Sequence, residues 1–112
     1  MKKICRISQI KEGQSFVFSI PNEEKFGIIL VKRAKIVYGY LNICPHSMLP
    51  LNLNDRNVLS RDKFHLICKN HAALFHPETG TCVSGPCLGK ALKKIKLENK
   101  NQEIYLISNG SI

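Results

Sequence analysis

The sequence contains no tryptophan, few aromatic residues and little negative charge. Aromatic side chains make up 7% of its 112 residues, and 8 Asp and Glu stand against 17 Lys and Arg, which gives a formal net charge of +9. The basic residues are scattered and do not alternate with aromatic side chains, unlike those of platforms that stack nucleic-acid bases. We therefore expect no nucleic-acid partner. The charge fits docking to an acidic protein or a general compositional bias of the source, and we favour the second interpretation.

A long hydrophobic run is also missing. The basic segment Met1–Arg6 is similar to the start of a signal peptide, but Lys11, Glu12 and Gln14 interrupt the apolar stretch that would have to follow. No segment approaches the ~18 continuous apolar residues of a membrane span. These features predict a cytoplasmic protein that does not attach to a membrane.

The five cysteines are an odd number, so we do not expect a complete disulfide framework. In a cytoplasmic chain, clustered cysteines indicate metal or redox chemistry instead. The length suits a single domain over residues 1–112, with a core of modest size. The content of 44% hydrophobic residues, with 7 Gly and 5 Pro, is typical of a globular chain.

Short apolar runs bounded by turn residues predict an all-β fold. A charged segment, 32–35, separates two of these runs and predicts a hairpin, and the polar residues 98–102 predict a second hairpin near the C-terminus. No twelve-residue stretch shows helical periodicity, although residues 49–59 leave room for one helical turn. We expect an antiparallel β-sandwich with one long loop. The candidate strands are Phe16–Ile20, Phe26–Val31, Ile36–Ile43, Phe64–Ile67, Leu74–His76, Lys94–Leu97 and Ile104–Ile107.

Two mixed pairs of Cys and His each follow an apolar run. Cys44 and His46 are two residues apart, Cys68 and His71 are three apart, and 21 residues lie between the pairs. A [2Fe–2S] cluster with mixed ligands takes two thiolates on one iron and two imidazoles on the other, and therefore needs two such loops facing each other. A zinc site is the alternative, although zinc fingers usually group Cys with Cys and His with His.

These motifs resemble those of the Rieske family. The match consists of C-x-H at Cys44, C-x-x-H at Cys68, and Gly85-Pro86 followed by Leu92, and it runs from about Phe16 to the C-terminus. The resemblance implies a β-sandwich of the Rieske iron–sulfur protein type, with its cluster-binding loops at one end. It implies that a loop containing Gly85 and Pro86 shields the cluster from water, and that electrons leave through the imidazole edges. The implied ligands of one [2Fe–2S] cluster are Cys44, His46, Cys68 and His71.

The sequence differs from the respiratory branch of this family in two respects. That branch has an extra Cys in each ligand loop, and the two form a disulfide, whereas here the loops contain Met48, Leu49, Ala72 and Ala73. It also has a Ser and a Tyr whose hydroxyls donate hydrogen bonds to the cluster and its ligands, where this chain has Ala73 and Phe75. Because such donors stabilise the reduced cluster, their absence predicts a potential of roughly −150 mV rather than roughly +300 mV.

The remaining Cys and His residues are assigned structural roles. We interpret Cys82 and Cys87 as small buried apolar residues rather than a redox pair or alternative ligands. Cys5 is expected to be a free thiol, and His65 and His76 to be surface or packing residues. With these assignments no histidines remain for the mononuclear iron site that Rieske oxygenases carry in a second domain.

The sequence therefore predicts an electron-transfer protein that is not itself an enzyme. It would take single electrons from a flavin reductase and deliver them to an oxygenase or similar acceptor, as a monomer when free. Two alternatives remain open. One is a non-catalytic small subunit or redox sensor of a larger enzyme, as found beside nitrite reductases, and the other is a zinc-stabilised binding module.

Overall fold

The computed structural model describes residues 2–19, 27–52, 58–60, 62, 64–69 and 72–108. Within these ranges it contains nine strands and a 3-10 helix at Ile7–Gln9, with no α-helix. In the described part of the chain, no helix is long and apolar enough to cross a membrane. The strands are β1 (Lys2–Arg6), β2 (Ser15–Phe18), β3 (Ile28–Arg33), β4 (Ile36–Leu41), β5 (Leu66–Ile67), β6 (Leu74–Phe75), β7 (Cys82–Ser84), β8 (Lys96–Lys100) and β9 (Glu103–Ser108).

The strands form three antiparallel sheets of three strands each. The orders are β1–β9–β8 in the first sheet, β2–β3–β4 in the second and β5–β6–β7 in the third. The predicted all-β antiparallel architecture is therefore confirmed. Residues 53–57, in the middle of the possible helical turn at 49–59, lie outside the described residues.

Both predicted hairpins form, but their turns are tighter than the sequence suggested. β3 and β4 pair from Ile28 opposite Leu41 to Arg33 opposite Ile36, so only Ala34 and Lys35 lie between them. Both turn residues have positive φ, 53° and 67°, which suits the right-handed twist of a two-residue hairpin. The C-terminal hairpin is similar, since β8 continues to Lys100 and leaves a two-residue turn, 101–102.

The β3–β4 turn contains neither Gly nor Asn, and a distant carboxylate supports it. The backbone N–H groups of Ala34 and Lys35 donate hydrogen bonds to the two carboxylate oxygens of Glu12, at 2.6 and 2.9 Å. These donors, led by Lys35, hold the pKa of the Glu12 carboxyl below its ordinary value. The contact explains how two L-residues adopt a left-handed backbone that usually favours Gly or Asn.

Two hydrophobic cores lie on opposite faces of β3. Ile29 and Val31 contribute to one core, whereas Ile28 and Leu30 contribute to the other. Because a strand alternates its side chains, burial on both faces requires the continuous apolar run that the sequence shows here. The cysteine-rich core consists of Ile29, Val31, Tyr40, Cys44, Leu51, Val58, Leu66, Cys68, Ala73, Phe75, Cys82, Cys87 and Leu92. The aliphatic core consists of Cys5, Ile10, Ile28, Leu30, Leu41, Ile95, Ile104 and Leu106.

Two strands were not predicted, and several were predicted too long, among them β4, which ends at Leu41, and β5. β1 occupies the basic N-terminal segment and pairs with β9. The Lys3 ammonium forms an ion pair with the carboxylate of Glu103 in β9, at 2.8 Å. β7 is a three-residue strand in the segment interpreted as a loop. β5 starts at Leu66 rather than Phe64, whose side chain is 63% exposed.

Candidate metal centre

The two predicted ligand loops have the same backbone conformation. In the first, the N–H of Cys44 donates to the carbonyl of Leu49 at 2.7 Å, and the N–H of Met48 donates back to the carbonyl of Cys44 at 2.8 Å. In the second, Cys68 donates to Ala73 at 2.9 Å, and Ala72 donates to Cys68 at 2.7 Å. The spacing is identical, since each cysteine bonds the residues four and five positions later.

The resemblance between the loops extends to their dihedral angles. The residue four positions after each cysteine, Met48 or Ala72, has a φ of 61° or 60°. A left-handed residue reverses the chain and lets the loop close over its own cysteine. A further hydrogen bond, from the N–H of Lys69 to the carbonyl of Leu51 at 2.8 Å, links the second loop to the end of the first.

The structure brings the cysteines of the two loops together and keeps them out of water. Cys44 and Cys68 are both 0% exposed, and their thiols lie within hydrogen-bond reach of each other. His46, two residues after Cys44, is exposed. The fourth predicted ligand, His71, lies outside the described residues. The arrangement described is thus two buried thiols with one histidine of the same loop at the surface.

The surroundings of Cys44 favour its thiolate. Burial raises the pKa of the Cys44 thiol, but hydrogen bonds from the backbone N–H groups of Ser47 and His46, and from the thiols of Cys68 and Cys87, outweigh it. The net pKa lies below its ordinary value. Because metal ions bind the thiolate rather than the thiol, these donors prepare Cys44 for a ligand role.

The segment with Gly85 and Pro86 packs against the second ligand loop. A Cβ on Gly85 would lie 2.9 Å from the Cα of Ala73, and Gly85 has a φ of +94°. The base of the segment is closed by the N–H of Cys82, which donates to the carbonyl of Lys90 at 2.9 Å. The Lys90 ammonium also reaches the carbonyl of Pro45 in the first loop, at 3.5 Å. The segment 82–90, here called the cover loop, thus contacts both ligand loops.

The structure adds one residue to the site that the sequence had not placed there. Cys87 of the cover loop is 0% exposed, and its sulfur lies 3.7 Å from the sulfur of Cys44. Burial, the neighbouring Cys44 thiol and, to a smaller extent, the Cys82 thiol raise the pKa of Cys87 to about 12. Cys82 is buried as expected, at 3% exposure, and its thiol contacts the carbonyl of Ser84 at 3.3 Å. The position of Cys87 directly after Pro86 was the signal that could have identified it.

The two positions that lack hydroxyls are both in the cysteine-rich core. Ala73 and Phe75 are 0% exposed. Ala73 accepts the backbone hydrogen bond that closes the second loop, whereas Phe75 lies in β6 opposite Cys82 of β7. Both therefore lie in the core that contains the predicted thiolate ligands, where an introduced hydroxyl would be shielded from water.

The donor set fits a two-iron cluster better than a single metal ion. Among the described residues, no three Cys, His or carboxylate side chains converge as ligands of one ion. A tetrahedral zinc site built from the predicted set would need three of its ligands, Cys44, His46 and Cys68, to do so. A [2Fe–2S] cluster divides its ligands between two irons, with the thiolates on one and the imidazoles on the other. Two adjacent buried thiols and a separate surface histidine match that division.

Comparison with known proteins gives a family and a set of similar folds. The family model described as "Rieske [2Fe-2S] domain" matches residues 1–102. The ferredoxin of carbazole 1,9a-dioxygenase from Nocardioides aromaticivorans IC177 superposes with a TM-score of 0.73 at 20% identity, covering 96% of each chain. A search of curated proteins with this sequence gives no match.

Two further solved structures have the same fold. A ferredoxin from Sphingomonas yanoikuyae B1 has a TM-score of 0.74 at 17% identity, covering 96% of this chain and 97% of its own. A chain in the complex of reduced oxygenase and oxidised ferredoxin of carbazole 1,9a-dioxygenase has a TM-score of 0.72 at 21% identity, covering 93% and 89%. At these identities the similarity establishes the β-sandwich fold.

Proposed function

This chain belongs to the Rieske [2Fe–2S] domain family, and on that basis we propose that it is a carrier of single electrons between a reductase and an oxygenase or similar acceptor. The observation that carries the proposal is the match to the cluster domain over residues 1–102, together with the fold that this chain shares with solved ferredoxins. The solved ferredoxins similar to this chain match it over nearly their whole length, which supports a role as a free carrier.

We propose that Cys44 and Cys68 bind one iron of the cluster and that His46 and His71 bind the other. The matching conformations of the two loops support the roles of the cysteines, and the role of His71 rests on the C-x-x-H motif. When bound, the cluster accepts and releases one electron at a time. Cys44 and Cys68 are buried and exclude water from their side of the site, whereas the exposed His46 would provide the shortest route to a partner.

An apolar cavity at the first ligand loop is a suitable docking point. Pro45 and Met48 of the first ligand loop face Ala91 and Lys93 across a space of about 190 Å³. Met48 is 66% exposed and Leu88 of the cover loop is 65% exposed. Exposed apolar side chains of this size close to a redox site are typical of interaction surfaces.

The charge around this cavity has one sign. Residues 40–52 contain no Asp or Glu, and residues 79–97 contain four lysines and no Asp or Glu. A positive field at the electron exit would steer an acidic partner toward it. We therefore assign part of the +9 charge to docking, whereas the sequence alone favoured compositional bias. The partner we propose is an acidic face of a redox enzyme, such as the oxygenase that accompanies the ferredoxin in the similar complex.

We further propose that the protein acts in the cytoplasm as a monomer. No disulfide joins any of the five cysteines, all of which are buried. Reduced cysteines in this number are usual in a reducing compartment. A protein recovered only in complex with a large subunit would instead favour the small-subunit alternative, as found beside nitrite reductases.

The carrier proposal is tested by electron transfer to small acceptors of opposite charge. The reduced protein is mixed rapidly with anionic ferricyanide or with the cationic tris(phenanthroline) complex of cobalt(III), over a range of salt concentrations. We expect reversible one-electron oxidation with both. Salt should slow the reaction with ferricyanide and accelerate the reaction with the cobalt complex.

Reversing the charge of single lysines locates the surface through which electrons leave the protein. Lys93→Glu should slow oxidation by ferricyanide several-fold at low salt, and Lys100→Glu, in β8 of the first sheet, should change it little. Equal effects of the two variants would contradict the proposed exit. A cluster that is destroyed by a single oxidation cycle would contradict the carrier function itself.

A further inference from the structure

The cover loop places the side chain of Cys87 beside a predicted ligand. Its residues Pro86 and Leu88 are exposed, yet Cys87 between them is 0% exposed and belongs to the cysteine-rich core. The Cys87 sulfur lies 3.7 Å from the Cys44 sulfur, within the range of a hydrogen bond between sulfur atoms. Two contacts hold the loop in this position. Gly85 packs against the backbone of Ala73, and the Lys90 ammonium reaches the carbonyl of Pro45.

The chemistry of the pair determines which sulfur carries the proton. A metal ligand must be a thiolate, so Cys44 gives up its proton when it binds iron. Two thiolates this close together and out of water would repel each other strongly. The lower-cost state is a Cys87 thiol whose S–H points to the Cys44 thiolate. Cys44 already accepts backbone N–H donors from His46 and Ser47, so Cys87 adds a donor from a different part of the chain.

We propose that the Cys87 thiol donates a hydrogen bond to the Cys44 sulfur and thereby favours the reduced state of the cluster. Reduction adds negative charge, part of which resides on the ligand sulfurs, and a donor to such a sulfur stabilises it. The inference rests on the proposed function, because it takes Cys44 as a ligand. Cys87 acts through Cys44, and so it is a positioning residue rather than a ligand.

The test compares three variants of the purified holoprotein with the wild type. Cys87→Ala removes the donor, Cys87→Ser replaces it with a hydroxyl, and Cys5→Ala is the matched control, since Cys5 is a buried cysteine of the aliphatic core. Iron and sulfide content are measured first, and the midpoint potential is then measured by voltammetry at one pH. All four proteins should retain the cluster.

We expect the midpoint potential to change only in the variants of Cys87. A thiol is a weak donor, so Cys87→Ala should lower the one-electron reduction equilibrium constant about three- to tenfold, roughly 30 to 60 mV. Cys5→Ala should leave the potential unchanged, and the potential of Cys87→Ser should lie closer to that of the wild type than the potential of Cys87→Ala does. A spectroscopic readout is independent of the potential. In electron–nuclear double resonance of the reduced cluster, Cys87→Ala should lose one exchangeable proton coupling that is replaced by deuterium in D₂O.

Two results would overturn the inference while leaving the carrier function intact. An unchanged potential in Cys87→Ala, with unchanged proton couplings, would mean that Cys87 only fills space. Loss of the cluster in both Cys87 variants, but not in Cys5→Ala, would make Cys87 a ligand. Failure of the wild-type protein to hold a cluster would instead contradict the proposed function.

Discussion

The two hydrophobic cores of this protein differ in the side chains that form them. The aliphatic core has one cysteine among branched aliphatic side chains, and it lies against the first sheet, whose strands have five, five and six residues. The cysteine-rich core contains the other four cysteines and includes the third sheet, whose strands have two, two and three residues. Short strands contribute few backbone hydrogen bonds, and cysteines contribute little apolar area. The order of the cysteine-rich core should therefore depend on the bound cluster, whereas the aliphatic core should hold the fold by itself.

One strand joins the two regions. β3 is buried on both faces over residues 28–31 and is the wall that the cores share. Its partner β4 leads directly into the first ligand loop at Cys44. A rigid strand behind a ligand loop keeps the ligand in place.

The largest difference between the cores should be seen on replacing their cysteines. Cys44→Ser or Cys68→Ser should abolish cluster binding, because a hydroxyl is a poor substitute for a soft thiolate. Cys5→Ser, which changes a buried cysteine of the aliphatic core, should retain the cluster. Iron and sulfide analysis of the three purified proteins measures this. Retention of the cluster in both Cys44→Ser and Cys68→Ser would refute the ligand assignment.

Truncating a side chain of the aliphatic core should instead lower the stability of the fold and leave cluster binding intact. Leu30→Ala removes a fully buried side chain and should lower the free energy of unfolding by about 2 to 5 kcal/mol, without reducing the cluster content of the folded fraction. Ile36→Ala is the control, because Ile36 is 54% exposed and its truncation should cost little. Denaturant unfolding monitored by circular dichroism gives both values. A larger loss of unfolding free energy in Ile36→Ala than in Leu30→Ala would contradict the assignment of Leu30 to the core and of Ile36 to the surface.

Variants of two glycines in the cover loop distinguish the effect of its packing from the effect of backbone strain. Gly85 and Gly89 have φ of +94° and +89°, so an added Cβ should strain either position by about 1 to 2 kcal/mol. Only Gly85 meets a neighbour, the Cα of Ala73 at 2.9 Å, whereas Gly89 meets nothing within 4 Å. Gly85→Ala should therefore release iron to a chelator several-fold faster than Gly89→Ala. Equal rates would mean that the contact with Ala73 does not protect the site.

The smallest effects are expected from added hydroxyls in the cysteine-rich core. Ala73→Ser and Phe75→Tyr should each raise the midpoint potential by several tens of millivolts, since a hydrogen bond to a charged group contributes about 1.5 kcal/mol and ~59 mV corresponds to about 1.4 kcal/mol for one electron. Val83→Thr is the control, at an exposed position of β7. The measurement is voltammetry at a single pH. If neither core variant moves the potential upward, these two positions do not face the cluster or its ligands.

The sequence predicted the features that depend on local pattern. The apolar run around Ile28 predicted a buried strand, and the charged segment after it predicted a hairpin. The positions of Cys44 and Cys68 after apolar runs predicted two ligand loops, and the structure shows that the loops match.

Features that depend on distant contacts could not be predicted. Ala34 and Lys35 do not form a recognisable turn pair by sequence, because the carboxylate that supports them is on Glu12. β1 was not predicted, because its basic residues were compared with the start of a signal peptide, whereas in the structure Glu103 forms an ion pair with Lys3. Cys87 and Cys44 are 43 residues apart, so only the folded cover loop reveals that their sulfurs are neighbours.

The most direct test of the account is the metal content and spectrum of the purified protein, prepared without oxygen. We expect two irons and two acid-labile sulfides per chain, and a rhombic paramagnetic spectrum on reduction, of the type given by clusters with two histidine ligands. Zinc without sulfide would contradict the account and favour a binding module. A spectrum of the all-cysteine type would contradict the histidine ligands, and with them the division between a buried thiolate side and an exposed imidazole side.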